Sequence, residues 1–461
     1  MKIGTKGTAW NMTEGSPASL ILRFTVPMMI GNLFQQFYNL ADSIIVGRFV
    51  GSNELGGIGC TGSIGFLIFS LGYGISAGLG ILVAILYGAR EGQRLTRAIY
   101  NGFYAVLCVS VIITLAGFFS AEKLLIWMNT PSEVFPHALQ YLRVTMLGST
   151  ATMLYNAVAS VMRSFGDSKT PLFILIFACI TNVALDFTLV FRYGVLGVAV
   201  ATIIAQALSA LLGYICAYKK LPQVRLCEGA LRPDGELLRK CIRLGFPIAG
   251  QNVLIALSCI ALQVVVNGFG EVVVTANIAV SKIEQLVQQP YGSLSSALST
   301  FTGQNVGARR LDRVRQGFRV GLVAMLIFSA AMVLIIQLFA GAFLSIFVVE
   351  EEIIAIGTRA LRITSWFYVF LGLIYVVRGT LNGAGDILYS ALNGIVELGC
   401  RVGMAKPLTM IPAVGMWGCF LCSGLTWMVT GLLSLLRYFT RPWNKNPEQE
   451  NQTAAVSSAA E

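Results

Sequence analysis

Twelve mostly apolar runs divide this 461-residue chain. Each is near the length of about 20 residues that an α-helix needs to cross a bilayer. They centre on 24–47, 56–86, 98–120, 138–162, 171–191 and 195–217, then on 244–267, 274–304, 317–341, 360–382, 387–410 and 414–437. The runs are continuous rather than alternating, which predicts helices and not barrel strands. Backbone polar groups in lipid must bond internally, so little else can fill such runs. Only 12% of the residues are charged and mean hydropathy is +0.73, against about 25% charged in soluble domains.

The one long polar interruption, 218–243, splits the runs into two sets of six, and the sets resemble each other. "GAR" at 88–90 recurs at 307–309, "LRVT" at 142–145 becomes "LRIT" at 361–364, and "FGD" at 165–167 becomes "AGD" at 384–386, each 219 residues on. "RFTVP" at 23–27 and "RLGFP" at 243–247 lie 220 apart, and "GVLG" at 194–197 and "GMWG" at 415–418 lie 221 apart. Six spans per set means that both halves enter from the same side. The expected fold is therefore all-α and integral to the membrane. It has twelve transmembrane helices in two six-helix lobes, related by a pseudo-two-fold axis along the membrane normal. Its parts are an N-terminal cytoplasmic segment (1–22), an N-terminal lobe (23–217), a cytoplasmic linker (218–243), a C-terminal lobe (244–440) and a disordered tail (441–461).

The net charge of +11 does not point to nucleic acid, because the basic residues fall in loops between apolar runs. One set of loops carries Arg90, Arg94, Arg97, the seven basic residues of the linker, Arg309, Arg310 and Arg313; the other carries few, beside Glu350, Glu351 and Glu352. The positive-inside rule then puts both termini in the cytoplasm of a multi-pass inner (plasma) membrane protein. A single histidine, His137, excludes a histidine metal site. The ten cysteines read as small apolar residues, "CFLC" at 419–422 included, since no histidine or basic group activates a thiolate there. No Ser/His/Asp set lies at membrane depth, so an enzyme is not expected, and no cofactor is expected beyond a coupling ion. The remaining partners are the lipid bilayer and a small substrate, and a monomer is expected.

A charge in a span costs about 2.5–3.5 kcal/mol on insertion scales, so intramembrane polar residues mark candidate sites. Gln35, Tyr38, Asn39 and Asp42 recur at three- and four-residue steps on one face of the first span. Asn182 and Asp186 share a face of the fifth span, Thr202 and Gln206 a face of the sixth, and Tyr155 and Asn156 add polarity in the fourth. Together they outline a polar chamber in the N-terminal lobe. Two carboxylates in such a chamber resist joint ionisation, which suits a proton near neutral pH. The Asn182 and Thr202 oxygens alongside suit a small hard cation such as Na+ instead. A structural carboxylate competes with this reading at Asp42, and helix packing competes at Thr202 and Gln206. The second lobe does not repeat the pair, since Asp186 maps to Ala405. It offers Glu284, with Gln285 and Gln288, to face the cleft and meet a cationic substrate, and Glu397 with Arg401, four apart and able to pair. Pro27 and Pro247 occupy matching positions and bend the first and seventh spans, and Pro27 is the candidate conformational hinge.

The stretches "PMMIGNLFQQFYNLADSIIVGRFVG" at 27–51, "VMRSFGDSKTPL" at 161–172, "TNVALDF" at 181–187 and "GQNVGARR" at 303–310 resemble the multidrug and toxic compound extrusion (MATE) family. The resemblance spans essentially all twelve runs and is greatest to the DinF-like branch. It implies an exporter of organic cations or amphipathic drugs, exchanging them for protons or sodium by alternating access. It also implies coupling at Asp42, Asn182, Asp186 and Thr202, and cavity positions at Gln35, Tyr38, Tyr141 and Asn156. The acids that the NorM-like branch carries in its seventh and tenth spans have no counterpart here, which places coupling in the N-terminal lobe. The alternative is a flippase for a lipid-linked saccharide or other amphipathic lipid.

Overall fold

The computed structural model describes residues 11–49, 52–128, 130–225 and 229–440, without the side chains of 37–44, 47–60 and 63. Among the described residues the chain forms thirteen α-helices and no strand. The first six are α1 (Pro17–Phe49), α2 (Ser52–Gly88), α3 (Gly92–Trp127), α4 (Phe135–Ser164), α5 (Lys169–Tyr193) and α6 (Val195–Lys220). After the linker come α7 (Gly235–Asn267), α8 (Glu271–Gly307), α9 (Leu311–Leu344), α10 (Glu351–Ser365), α11 (Tyr368–Gly383), α12 (Leu388–Met410) and α13 (Trp417–Phe439).

The run at 360–382 is not one continuous span. α10 and α11 meet at a 52° bend. The amide of Gln337, on α9, donates to the Arg362 carbonyl at 2.9 Å and to Ser365 Oγ at 3.0 Å, satisfying backbone that the break frees. Eight helices, and this bent pair as a ninth, are long and apolar enough to cross a membrane by length and composition. The remaining three spans, α4, α8 and α12, carry intramembrane polar residues, among them Asn156, Glu284, Glu397 and Arg401.

The internal repeat is written into the backbone. Six of the nine positive-φ residues among those described fall in three pairs: Arg90 and Arg309 (φ 60° and 57°), Gly166 and Gly385 (83° and 82°), Gly194 and Gly415 (55° and 52°). Their separations are 219, 219 and 221 residues, the same as in the sequence repeat. The lobes meet through α2, which packs on α7 and α8. A Cβ on Gly88 would fall 1.9 Å from the Gln304 carbonyl oxygen, and one on Gly307 would fall 2.0 Å from that of Ile85. Residues 85 and 304 are also 219 apart, so each contact is the pseudo-two-fold image of the other.

The chain enters α1 earlier than hydropathy indicates. Met12 is fully buried. Its backbone N–H donates to Gln304 Oε1 at 2.8 Å, while Gln304 Nε2 donates to the Ser164 carbonyl at 2.7 Å. Asn305, Arg310 and Arg313 also donate to carbonyls of residues 12, 13 and 15. This segment locks both lobes at the end of the bundle that carries the basic loops. Asp167 starts α5 by accepting from the Lys169 and Thr170 N–H groups at 3.1 and 2.9 Å. Its repeat mate Asp386 is instead bonded by Arg437 Nε at 3.1 Å. Cys419 and Cys422 are buried free thiols.

Candidate functional site

A cavity of about 800 Å³ lies between the lobes. It runs from Ala84, Ser164 and Asn382, near the Gly88 and Gly307 contacts, to Gly62 and Tyr141 toward the opposite end. Its wall is largely amide, hydroxyl and aromatic: Gln35, Gln251, Asn252, Ser295, Ser299, Phe69, Tyr73 and Tyr375. Helix periodicity supplies one strip of it, since Gln289, Gly292, Ser296 and Ser299 fall along one face of α8.

A smaller cavity, about 130 Å³, opens beside it in the N-terminal lobe. Pro27, Gln35, Asn156 and Gln206 all line it, together with Tyr155 and Thr152. The two cavities share Asn32, Gln35, Phe69, Tyr73 and Arg163, so α1 stands between them. Four expected positions from three different stretches of sequence thus converge on one chamber and Tyr141 lines the larger space, whereas Asn182, Asp186 and Thr202 line neither cavity.

Asn182 and Asp186 are fully buried on α5. Asn182 Nδ2 donates to Thr202 Oγ1 at 3.4 Å, and the Thr202 hydroxyl donates to the Val198 carbonyl at 3.0 Å. The next turns of these helices are apolar: Val190, Val195 and Val198 pack with Ile45 and Val46 of α1, and Tyr141 packs against that cluster. Residue 42 of the α1 backbone therefore lies one turn before a contact with α5 and α6. The side chains of Asp42, Tyr38 and Asn39 lie outside the described residues.

The second-lobe expectation needs correction. Glu284 does not line the central cavity. It lies five residues, about 140° of helix rotation, from Gln289 on the cavity face, which turns it into the lobe interior. There it meets Thr364 and falls within electrostatic reach of Arg401. Gln288 is not in the cavity wall either, but it accepts the Tyr375 hydroxyl at 3.2 Å and so holds a wall residue in place. Glu397 and Arg401 do pair, at 3.8 Å with both side chains buried. Arg401 also donates to Ser258 Oγ and to Cys259 Sγ.

Two functional-site candidates escaped the sequence reading: Arg163 and Arg378, both in the cavity wall. Arg163 reads as a loop residue at the end of a run. Arg378 had a signal, a lone cation inside "IYVVRG", but a search for acids in that span passes over it.

A two-lobed, multi-pass helical membrane protein with a polar cavity between its lobes is the class that this geometry defines. The chain belongs to the MatE family, whose model matches residues 27–188 and 247–405, one block in each lobe. It is 28% identical to the probable multidrug resistance protein YoeA of Bacillus subtilis, over 92% of this chain and 93% of that one. It is 23% identical to the probable multidrug resistance protein NorM of Thermotoga maritima, over 92% and 93%. Among solved structures, a MOP superfamily transporter from Pyrococcus furiosus superposes with a TM-score of 0.88 at 24% identity, over 96% of this chain and 99% of that one. An outward-facing MATE family multidrug resistance transporter gives 0.87 at 24%, over 94% and 97%. These structures share the fold.

Proposed function

We propose that the protein is a proton- or sodium-coupled antiporter that exports amphipathic organic compounds by alternating access. The observation that carries this reading is the burial of Asp186 beside Asn182 and Thr202, in a lobe that also opens a polar cavity toward its partner lobe. A carboxylate at that depth is costly unless it holds a positive ion for part of a cycle. Asp42 joins it in the proposal, one turn from the α1 residues that pack on the same helices. The multidrug names of the relatives support transport over catalysis, and the family match does not favour the flippase alternative.

With the basic loops in the cytoplasm, the seal at Gly88 and Gly307 closes the cytoplasmic end, and the cavity faces outward in the plasma membrane. Ion uptake at Asp42 and Asp186 neutralises the N-terminal lobe. α1 then bends near Pro27, which lines the small cavity beside the central one, and substrate is displaced outward. The ion must prefer one state over the other, or nothing is coupled. Of the substrate classes expected, the aromatic and amide wall favours amphipathic compounds over simple cations. The side chains at Asp42, Asn182 and Asp186 keep the chain with the DinF-like branch in this proposal.

The test is dye transport by purified protein in liposomes, with pH and sodium gradients imposed separately. One gradient should drive export, and Asp186→Asn and Asp42→Asn should each abolish that dependence while dye binding persists. Gradient-driven export at wild-type rate in both variants would overturn the proposal.

A further inference from the structure

The central cavity holds two arginines, one from each lobe, and no acidic residue among its described lining residues. Arg163 lies in the last turn of α4 and Arg378 lies in α11, about 7.5 Å inside the end of that helix at 1.5 Å per residue. Both are half-buried. Arg163 Nη2 reaches only Ser160 Oγ, at 3.4 Å on its own helix. The Arg378 guanidinium sits 4.3 Å from the centre of the Tyr375 ring. Neither has a carboxylate partner among the described residues. Glu397 is within electrostatic reach of Arg378, but its ion pair is made with Arg401.

Repeat symmetry does not produce this pair. Moved by 219 residues, Arg163 falls on Asn382, which is occupied by a bond from Ser390 Oγ at 2.5 Å; Arg378 falls back on Ala159. Nor do these side chains act as interfacial anchors, which reach for headgroups at the bilayer surface, because both line the inter-lobe space. A guanidinium offers five donors in a fork that fits carboxylate and phosphate oxygens. Here both guanidinium groups line the cavity, Arg163 bonded to Ser160 and Arg378 set against Tyr375. Phe66 and Phe69 remain 50% and 37% exposed on the same wall, with Tyr73 beside them, enough to take the apolar body of a ligand.

We propose that Arg163 and Arg378 form a subsite for an oxyanion, carboxylate or phosphate, on an amphipathic substrate whose apolar part lies against Phe66, Phe69 and Tyr73. The inference deepens the export reading by naming the substrate class, and it rests on that reading for its physiological direction. Preferred substrates would then be anionic or zwitterionic amphiphiles rather than compounds with cationic charge alone.

Equilibrium binding tests it without depending on coupling. Rhodamine 110 and rhodamine 123 share a cationic ring system, and the second is the methyl ester of the first's carboxylate. Fluorescence polarisation with the purified full-length protein should show the acid bound at least about tenfold more tightly than the ester, the yield of one charge-assisted bidentate contact. Arg163→Gln and Arg378→Gln should each bring that ratio down toward one. Arg163→Lys and Arg378→Lys should recover much of it, a rescue that a purely structural role would not give. Dihexanoyl phosphatidate displacing the acid dye at lower concentration than inorganic phosphate identifies an amphipathic anion, and equal displacement identifies a free oxyanion; both support the subsite. A wild type that binds the ester as well as the acid, or a ratio unmoved by both Gln variants, overturns it. Preferential binding of the acid with no gradient-driven movement of either dye supports the subsite and removes the export reading instead.

Discussion

Asp186 and Glu397 each bring a buried carboxylate into a membrane-spanning helix. Glu397 has Arg401 four residues on, both buried, so its charge is compensated within one helix. Removing one member leaves the other's buried charge without its counter-ion, a loss that costs about 3–5 kcal/mol in buried pairs. Glu397→Leu should therefore lower the thermal midpoint of the detergent-solubilised protein sharply, and Glu397→Leu with Arg401→Met should recover most of the loss. A double variant as unstable as the single one would show that Arg401 matters through its bonds to Ser258 and Cys259 instead. Asp186 is fully buried one turn from Asn182, which bonds Thr202, and in the proposed cycle it holds the coupling ion. The spacing of Asn182 and Asp186 made their shared face legible from sequence. The inward turn of Glu284 was not, because a span lacking a clean apolar stripe does not say which side meets the cavity.

At the scale of helices, the glycine contacts set how closely α2 and α8 approach at the basic end of the bundle. With a Cβ on Gly307 set 2.0 Å from the Ile85 oxygen, any larger residue must push α2 and α8 apart. Gly307→Val should hold the basic end open. A cysteine at Thr302, only 1% exposed, should then react with a membrane-impermeant maleimide from that side far faster than in the parent protein; unchanged labelling would place the seal elsewhere. The Gln304 amide ties Met12 to Ser164 at the same end. Gln304→Ala leaves buried backbone groups without partners, at about 1–3 kcal/mol. The expected result is greater maleimide access at Thr302→Cys with the glycines intact. The bend between α10 and α11 has no proline or glycine at its break to announce it. It depends on Gln337 from a neighbouring helix, a contact that hydropathy does not contain.

Over the whole molecule, the repeat and the loop charges make a prediction about sidedness. Single cysteines placed in the Arg309–Arg313 loop and near Glu351 should label from opposite faces of sealed vesicles, the former from the cytoplasmic face. Labelling of both from one face would break the even-span topology. The sequence by itself determined the helical class, the two lobes and their parallel relation. Those follow from the length of apolar runs and from a constant offset, which are properties of order along a chain. Only the tertiary structure decided which polar residues share a space: Pro27, Asn156 and Gln206 in one chamber, Arg163 and Arg378 across another, Glu284 in neither. A cavity is made by helices that approach from distant parts of the chain, and its sign of charge depends on rotations about helix axes that packing sets and periodicity alone leaves free.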